Sequence, residues 1–137
     1  MAQPEQKGMA QTVLGTVDPG ELGPTSTHEH FLLDFAMIAF RPPAEASERF
    51  RAYEPVSMKN LGWVCYDPFR SLDNLLTIDE DSAIAEVSLF QRAGGMTITD
   101  TTSIGIRRDP LALARIARAT GLNVVMGSGY YVDAVHP

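Results

Sequence analysis

Two histidines one residue apart, His28 and His30 in Thr27-His28-Glu29-His30, are the side chains whose type and spacing best suit chemistry. On a β-strand alternate side chains share a face, so the two imidazoles point the same way. Neutral imidazole is among the commonest metal ligands, and such a pair suits metal-assisted hydrolysis. Two histidines alone do not complete a catalytic metal site. Short motifs also recur by chance, so surface or core histidines stand as the dull alternative. Glu29 falls on the opposite strand face, where it either pairs with a cation, caps a helix behind the sheet, or serves as a catalytic carboxylate.

The elements that must hold this pair are unevenly legible. Residues 12–17 predict a short strand, ended by the turn residues Asp18-Pro19-Gly20. The run 21–31 pairs back on it as a hairpin and carries the histidines. Residues 32–77 are irregular: Pro42-Pro43 opens a short helix through Arg51, and Pro55, Gly62 and Pro68 punctuate the remainder. Roughly forty-five residues is long for a structural loop, and such excursions are more often functional.

Beyond Thr77 the pattern is regular. Thr77 with Glu80 makes a capping box, and Asp79, Glu80 and Asp81 suit the positive end of a helix. Ile84, Val87 and Phe90 recur at helical spacing until Gly94-Gly95. Residues 96–101 predict a β-branched strand. Asp109 then caps a helix with Pro110 at its first position and Leu113, Ile116 and Ala117 on one face. Gly121 stops it, and residues 122–126 form the next strand. Helix, strand, helix, strand with short connections predicts an α/β fold with parallel strands and right-handed crossovers.

In such folds chemistry collects at the C-terminal ends of the strands. Three such ends carry polar or small residues: His28/His30, residues 100–103, and residues 128–131. Asp100 is either a partner that orients a metal-bound histidine or the start of an Asx turn. Arg107 and Arg108 either clamp a substrate anion or form a solvated pair. Tyr130 and Tyr131 either line a pocket or pack in the core. Gly127-Ser128-Gly129 lacks the third glycine and following lysine of a phosphate loop, and it lacks the spacing of a nucleophile elbow. His136 is not assigned as a ligand.

Composition bounds these readings. The chain has 137 residues, 45% of them hydrophobic and 20% charged, which are globular values, and a net charge of −6. Residues 1–10 read as a loose tail and 11–137 as one domain. The acidic balance and the small basic clusters argue against nucleic acid. Nothing has the length of a membrane span or the pattern of a signal peptide, so a cytoplasmic protein is expected. Cys65, the single cysteine, excludes an intramolecular disulfide and reads as an inert, partly buried thiol.

Taken in order, the motifs resemble a known family. They are residues 23–30 (Gly-Pro-Thr-Ser-Thr-His-Glu-His), 93–100 (Ala-Gly-Gly-Met-Thr-Ile-Thr-Asp), Gly105-Ile106-Arg107-Arg108-Asp109, Thr120-Gly121-Leu122 and Gly127-Ser128-Gly129-Tyr130-Tyr131. Together they resemble the phosphotriesterase family of the amidohydrolase superfamily, over residues 12–137. Gly129-Tyr130-Tyr131 is more similar to its lactonase-like and phosphotriesterase-related branches. The resemblance implies a TIM (β/α)8 barrel with a two-metal centre, usually zinc, at its C-terminal face. It implies His28 and His30 as metal ligands and Tyr131 as a substrate-binding residue. Hydroxide generated at the metals would attack a small ester, whether lactone, carboxylic ester or phosphotriester, with no residue acting as a covalent nucleophile. A homo-oligomer of the intact protein is left open. A barrel deoxyribonuclease is disfavoured by Glu29 within the histidine motif and by the Gly-Tyr-Tyr ending.

The family's other ligands, a carboxylated lysine, two more histidines and an aspartate on later strands, have no counterpart in these residues. A barrel of this type needs about 250 residues. The expectation is therefore an N-terminal portion, about three βα units plus an N-terminal hairpin, with an unpaired edge on its last strand. By itself it would be a non-catalytic fragment.

Overall fold

The computed structural model describes residues 7–137. Its centre is a parallel sheet of three strands, β3 (Thr25–Glu29), β6 (Thr97–Asp100) and β7 (Asn123–Met126), in that spatial order. Two helices cross between them, α3 (Glu80–Arg92) after the excursion and α4 (Pro110–Thr120) between β6 and β7. This is the α/β order expected from the alternation of helical and extended patterns. It comprises two complete βα units and a third strand, with a 3-10 turn at Asp133–Val135 after it.

Ile98 and Val124 are partners in register and are buried on one face of the sheet. They join Leu113, Ile116, Ala117 and Leu122 in one apolar cluster with Ala83, Phe31 and Leu32. Ile84, Val87 and Phe90 pack against this core from α3, as their spacing predicts. Burial is the dominant gain here, and truncating a side chain as enclosed as Ile116 to alanine costs about 2–5 kcal/mol. Asp109 caps α4 by accepting from the Leu111 and Ala112 amides, and Gly121 closes it with φ +72°.

Several local expectations are corrected. The segment 12–17 is not one strand: β1 (Ala10–Thr12) and β2 (Gly15–Val17) form an antiparallel hairpin of their own. Gly15, at φ +132°, allows the tight return, and the run 21–31 pairs with β6 instead. Ala10 already belongs to β1, and residues 1–6 of the expected tail lie outside the described residues. Thr77 does not cap α3; it lies in β5 (Leu76–Thr77), and Asp79 accepts from the Ser82 amide at 2.8 Å. Cys65 is exposed, on the outer side of α2 (Leu61–Tyr66).

The excursion is built, though of short pieces. β4 (Leu33–Asp34) pairs with β5 and closes its base. Between them lie α1 (Ala36–Ala39), α2, and 3-10 turns at Arg49–Tyr53, Pro68–Arg70 and Asp73–Leu75. The first of these turns replaces the helix expected from Pro42 through Arg51. The edge of β7 is not wholly free, because the Val13 amide in the hairpin turn donates to the Val124 carbonyl at 2.9 Å.

Candidate functional site

The C-terminal ends of β3, β6 and β7 lie side by side, and the loops leaving them are stitched together by backbone hydrogen bonds. The Thr101 amide donates to Glu29 O at 2.9 Å, and the Gly127 amide donates to Asp100 O at 2.7 Å. Gly127 also packs so closely on Thr101 and Asp100 that an added Cβ would lie 3.2 Å from the Asp100 carbonyl. Arg108 Nη1 donates to Gly127 O at 3.0 Å, tying the loop after β6 to the loop after β7. Arg108 therefore serves the scaffold, while Arg107 is exposed in the left-handed region at φ +76°.

His28 and His30 come together at the end of β3, with ring centroids 5.4 Å apart and planes 77° from parallel. Pairing with β6 passes from Ser26–Ile98 to Glu29–Asp100, so β3 spends one more residue than β6 over that interval. This bulge breaks the strict alternation expected along 27–30. Among the described residues Glu29 forms no ion pair and caps no helix. Its Oε1 accepts from Ser26 Oγ at 2.8 Å.

His30 is half-buried, and its Nδ1 lies 3.0 Å from Thr102 Oγ1; His28 is exposed. Asp100 is completely buried, yet it hydrogen-bonds neither imidazole. Its Oδ2 accepts from the Phe31 amide at 2.8 Å and its Oδ1 from the Thr102 amide at 2.9 Å. The second bond is the Asx-type turn weighed for Asp100, and the first reaches across to β3. Thr102 is thus the polar neighbour of His30 that sequence reading did not single out; the only signal is a hydroxyl two residues past a strand-ending aspartate.

Tyr131 packs edge to face on Phe35 with centroids 5.8 Å apart, which places it against the base of the excursion. Tyr130 stacks at a tilt on His136, 5.2 Å between centroids, and both are exposed. Beside the free edge of β3 a groove of about 390 Å³ runs along α3. Phe31, Ala83, Val87, Phe90 and Ile98 give it an apolar floor, with Glu29 and His30 at its rim.

The donor set suits a divalent cation in part. Imidazoles bound at about 2.0–2.1 Å to one tetrahedral ion put their centroids roughly 5 Å apart, close to the spacing here. No group of three or more metal-capable side chains occurs among the described residues, so the remaining positions fall to other groups or water. No helix is long and apolar enough to cross a membrane among the described residues.

Known proteins resemble this chain in sequence and fold. A model of the phosphotriesterase family matches residues 8–137. The chain is 41% identical over 132 residues to a phosphotriesterase-related protein of Nematostella vectensis, covering 95% of this chain and 38% of the relative. It is 43% identical over 130 residues to an N-acetyltaurine hydrolase of Xenopus tropicalis, covering 94% and 37%. Among solved structures it superposes with a TM-score of 0.90 on a resiniferatoxin-binding protein from Rhodobacter sphaeroides. That match has 41% identity and covers 95% of this chain and 36% of the other. The chain therefore spans a little over a third of the length of the relatives it matches.

Proposed function

The chain belongs to the phosphotriesterase family, and from that premise we propose that it supplies the two-histidine part of a metal-dependent hydrolase site. Its sheet is the matching part of the family's (β/α)8 barrel. The observation that carries the proposal is the convergence of His28 and His30 at the end of β3. Those two imidazoles would hold the cation, with zinc the expected metal and two ions per intact site. A bound divalent cation lowers the pKa of coordinated water and polarises the oxygen of a carbonyl or phosphoryl group.

The chain's own residues do the positioning. The β3 backbone presents both imidazoles, Thr102 meets the inner side of His30, and Asp100 fastens the loops beneath them. Tyr131, held by Phe35, is proposed as an apolar wall for the substrate. We read the substrate as a small ester or amide. The ester reading comes from the family resemblance, and the name of the frog relative describes cleavage of an N-acyl bond. A cytoplasmic location and a small-molecule rather than nucleic-acid substrate complete this reading.

A second reading has an observation of its own: the described residues hold no third metal-capable side chain in the cluster. On that reading these 137 residues by themselves bind metal weakly and turn nothing over. Calorimetric zinc titration of the chain, with a His28→Ala/His30→Ala control, tests both. Weak binding that the double substitution abolishes supports them together. Binding indifferent to the substitution overturns the metal site, and tight uptake of two ions per chain overturns the second reading. Paraoxon, lactone and N-acetyltaurine assays on the same samples should show no metal-dependent turnover.

A further inference from the structure

The geometry points to Thr102 as the positioning residue that commits Nδ1 of His30 and leaves Nε2 as the nitrogen offered to a metal, an inference resting on the metal-site reading above. An imidazole has two chemically distinct nitrogens, and the partner of one decides the role of the other. Nδ1 of His30 lies 3.0 Å from Thr102 Oγ1. Thr102 is 1% exposed, so water hardly competes for that contact. A neutral imidazole that ligates through Nε2 keeps its proton on Nδ1, and Thr102 Oγ1 is placed to accept it. His28 has no side-chain hydrogen bond among the described residues and gains no such bias.

The threonine is itself held in place. Asp100 accepts the Thr102 amide through one oxygen and the Phe31 amide through the other, at 2.9 and 2.8 Å. Phe31 directly follows His30, so one buried carboxylate fastens the backbone on both sides of the His30–Thr102 contact. The Thr101 amide bonded to Glu29 O closes the same junction one residue earlier. Ring orientation is thus fixed from the strand behind it. Partners of this kind orient metal-binding histidines, and losing one typically weakens metal affinity about 10–100-fold.

Histidine ring 15N spectra of the chain, recorded where the imidazoles are neutral, test this with and without zinc. In metal-free wild type His30 should show one fixed ring state, while His28 averages between tautomers. Zinc should then shift Nε2 of His30 to a ligated position and leave a proton on Nδ1. Thr102→Val keeps the shape but removes the hydroxyl; His30 should average like His28 and zinc affinity should fall about 10–100-fold. Thr102→Ser, which restores a hydroxyl, should recover both readouts, and Ile98 and Val124 methyl signals report that each variant is folded. His30 averaging in wild type as it does in Thr102→Val overturns the inference whether or not zinc binds. Zinc bound through Nδ1 overturns it as well. If zinc leaves both histidines unmoved while Thr102 still fixes His30, the Thr102 assignment is supported and the metal-site reading falls.

Discussion

The buried carboxylate of Asp100 accepts the backbone amide of Phe31 at 2.8 Å, so the last residue of β6 reaches across to the residue that follows His30. Its other oxygen takes the Thr102 amide. Asp100→Ala strands two enclosed donors, each costing about 1–3 kcal/mol. Asp100→Asn keeps one acceptor and should lose about half as much. Urea unfolding of the two variants checks the order. A smaller loss for alanine than for asparagine would mean that these bonds do not hold the junction.

Acid should loosen the contact between α3 and α4. Arg115 on α4 donates to Glu80 on α3 through Nε at 2.9 Å and Nη2 at 2.5 Å. The hydrogen bond from Arg115 holds the Glu80 carboxyl below its ordinary value, and hydrogen bonds from Ser82 do the same for Asp79. A carboxyl whose folded pKa is depressed stabilises the fold above its unfolded pKa and loses that contribution as pH falls through the folded one. Asp79 is exposed and Glu80 only partly shielded, so the effect is small and salt-sensitive. Thermal unfolding of wild type and Arg115→Met should differ at neutral pH and converge as the pH drops below the carboxylate range.

The helix caps distinguish spacing from geometry. Asp109→Ala removes the acceptor of two α4 amides and should cost about 0.5–2 kcal/mol. At α3 the loss should come from Asp79→Ala, whereas Thr77→Ala should leave helicity unchanged. Circular dichroism during urea titration separates the three. Equal losses from Thr77 and Asp79 would restore the capping box.

How much of the chain could be read depends on the range of the forces involved. The helices α3 and α4 and the strands β6 and β7 are local patterns. Leu113, Ile116 and Ala117 repeat at helical spacing, and Asp109-Pro110 and Gly121 punctuate from within a few residues. The hairpin at 10–17 was hidden because its turn depends on one glycine, Gly15, and on docking against Val124, more than a hundred residues later. Pieces of the excursion are held by contacts such as Arg41 N to Phe69 O and Leu72 N to Ala52 O, which no local period announces. At the site the histidine pair was legible from residue type and spacing, although the bulge between Ser26 and Glu29 interrupts the alternation first expected there. The partner of His30 was not, because Asp100 and Thr102 are both polar and both lie at the end of β6. Only the tertiary fold shows that the carboxylate turns to two backbone amides and the hydroxyl to the ring.

Two glycines should fail for different reasons when given a Cβ. Gly121 ends α4 at φ +72° with open space around it, so Gly121→Ala costs only the left-handed backbone, roughly 1–2 kcal/mol. Gly105 sits where the 3-10 turn after β6 meets the C-terminal turn, and an added Cβ would collide with the backbone carbonyl and side chain of Val135. Gly105→Ala must therefore push the segment 132–136 away, costing about 1–3 kcal/mol. The two differ in kind as well as size. Gly121→Ala should lower the global unfolding midpoint while the chain end stays packed. Gly105→Ala should also release His136 from Tyr130 and open the Tyr130-Tyr131 segment to chymotrypsin at temperatures where β6 and β7 remain folded. If that segment of Gly105→Ala is cut no faster than that of wild type, Val135 does not anchor this face. Tyr131, two residues before the turn, would then owe its place to Phe35 alone.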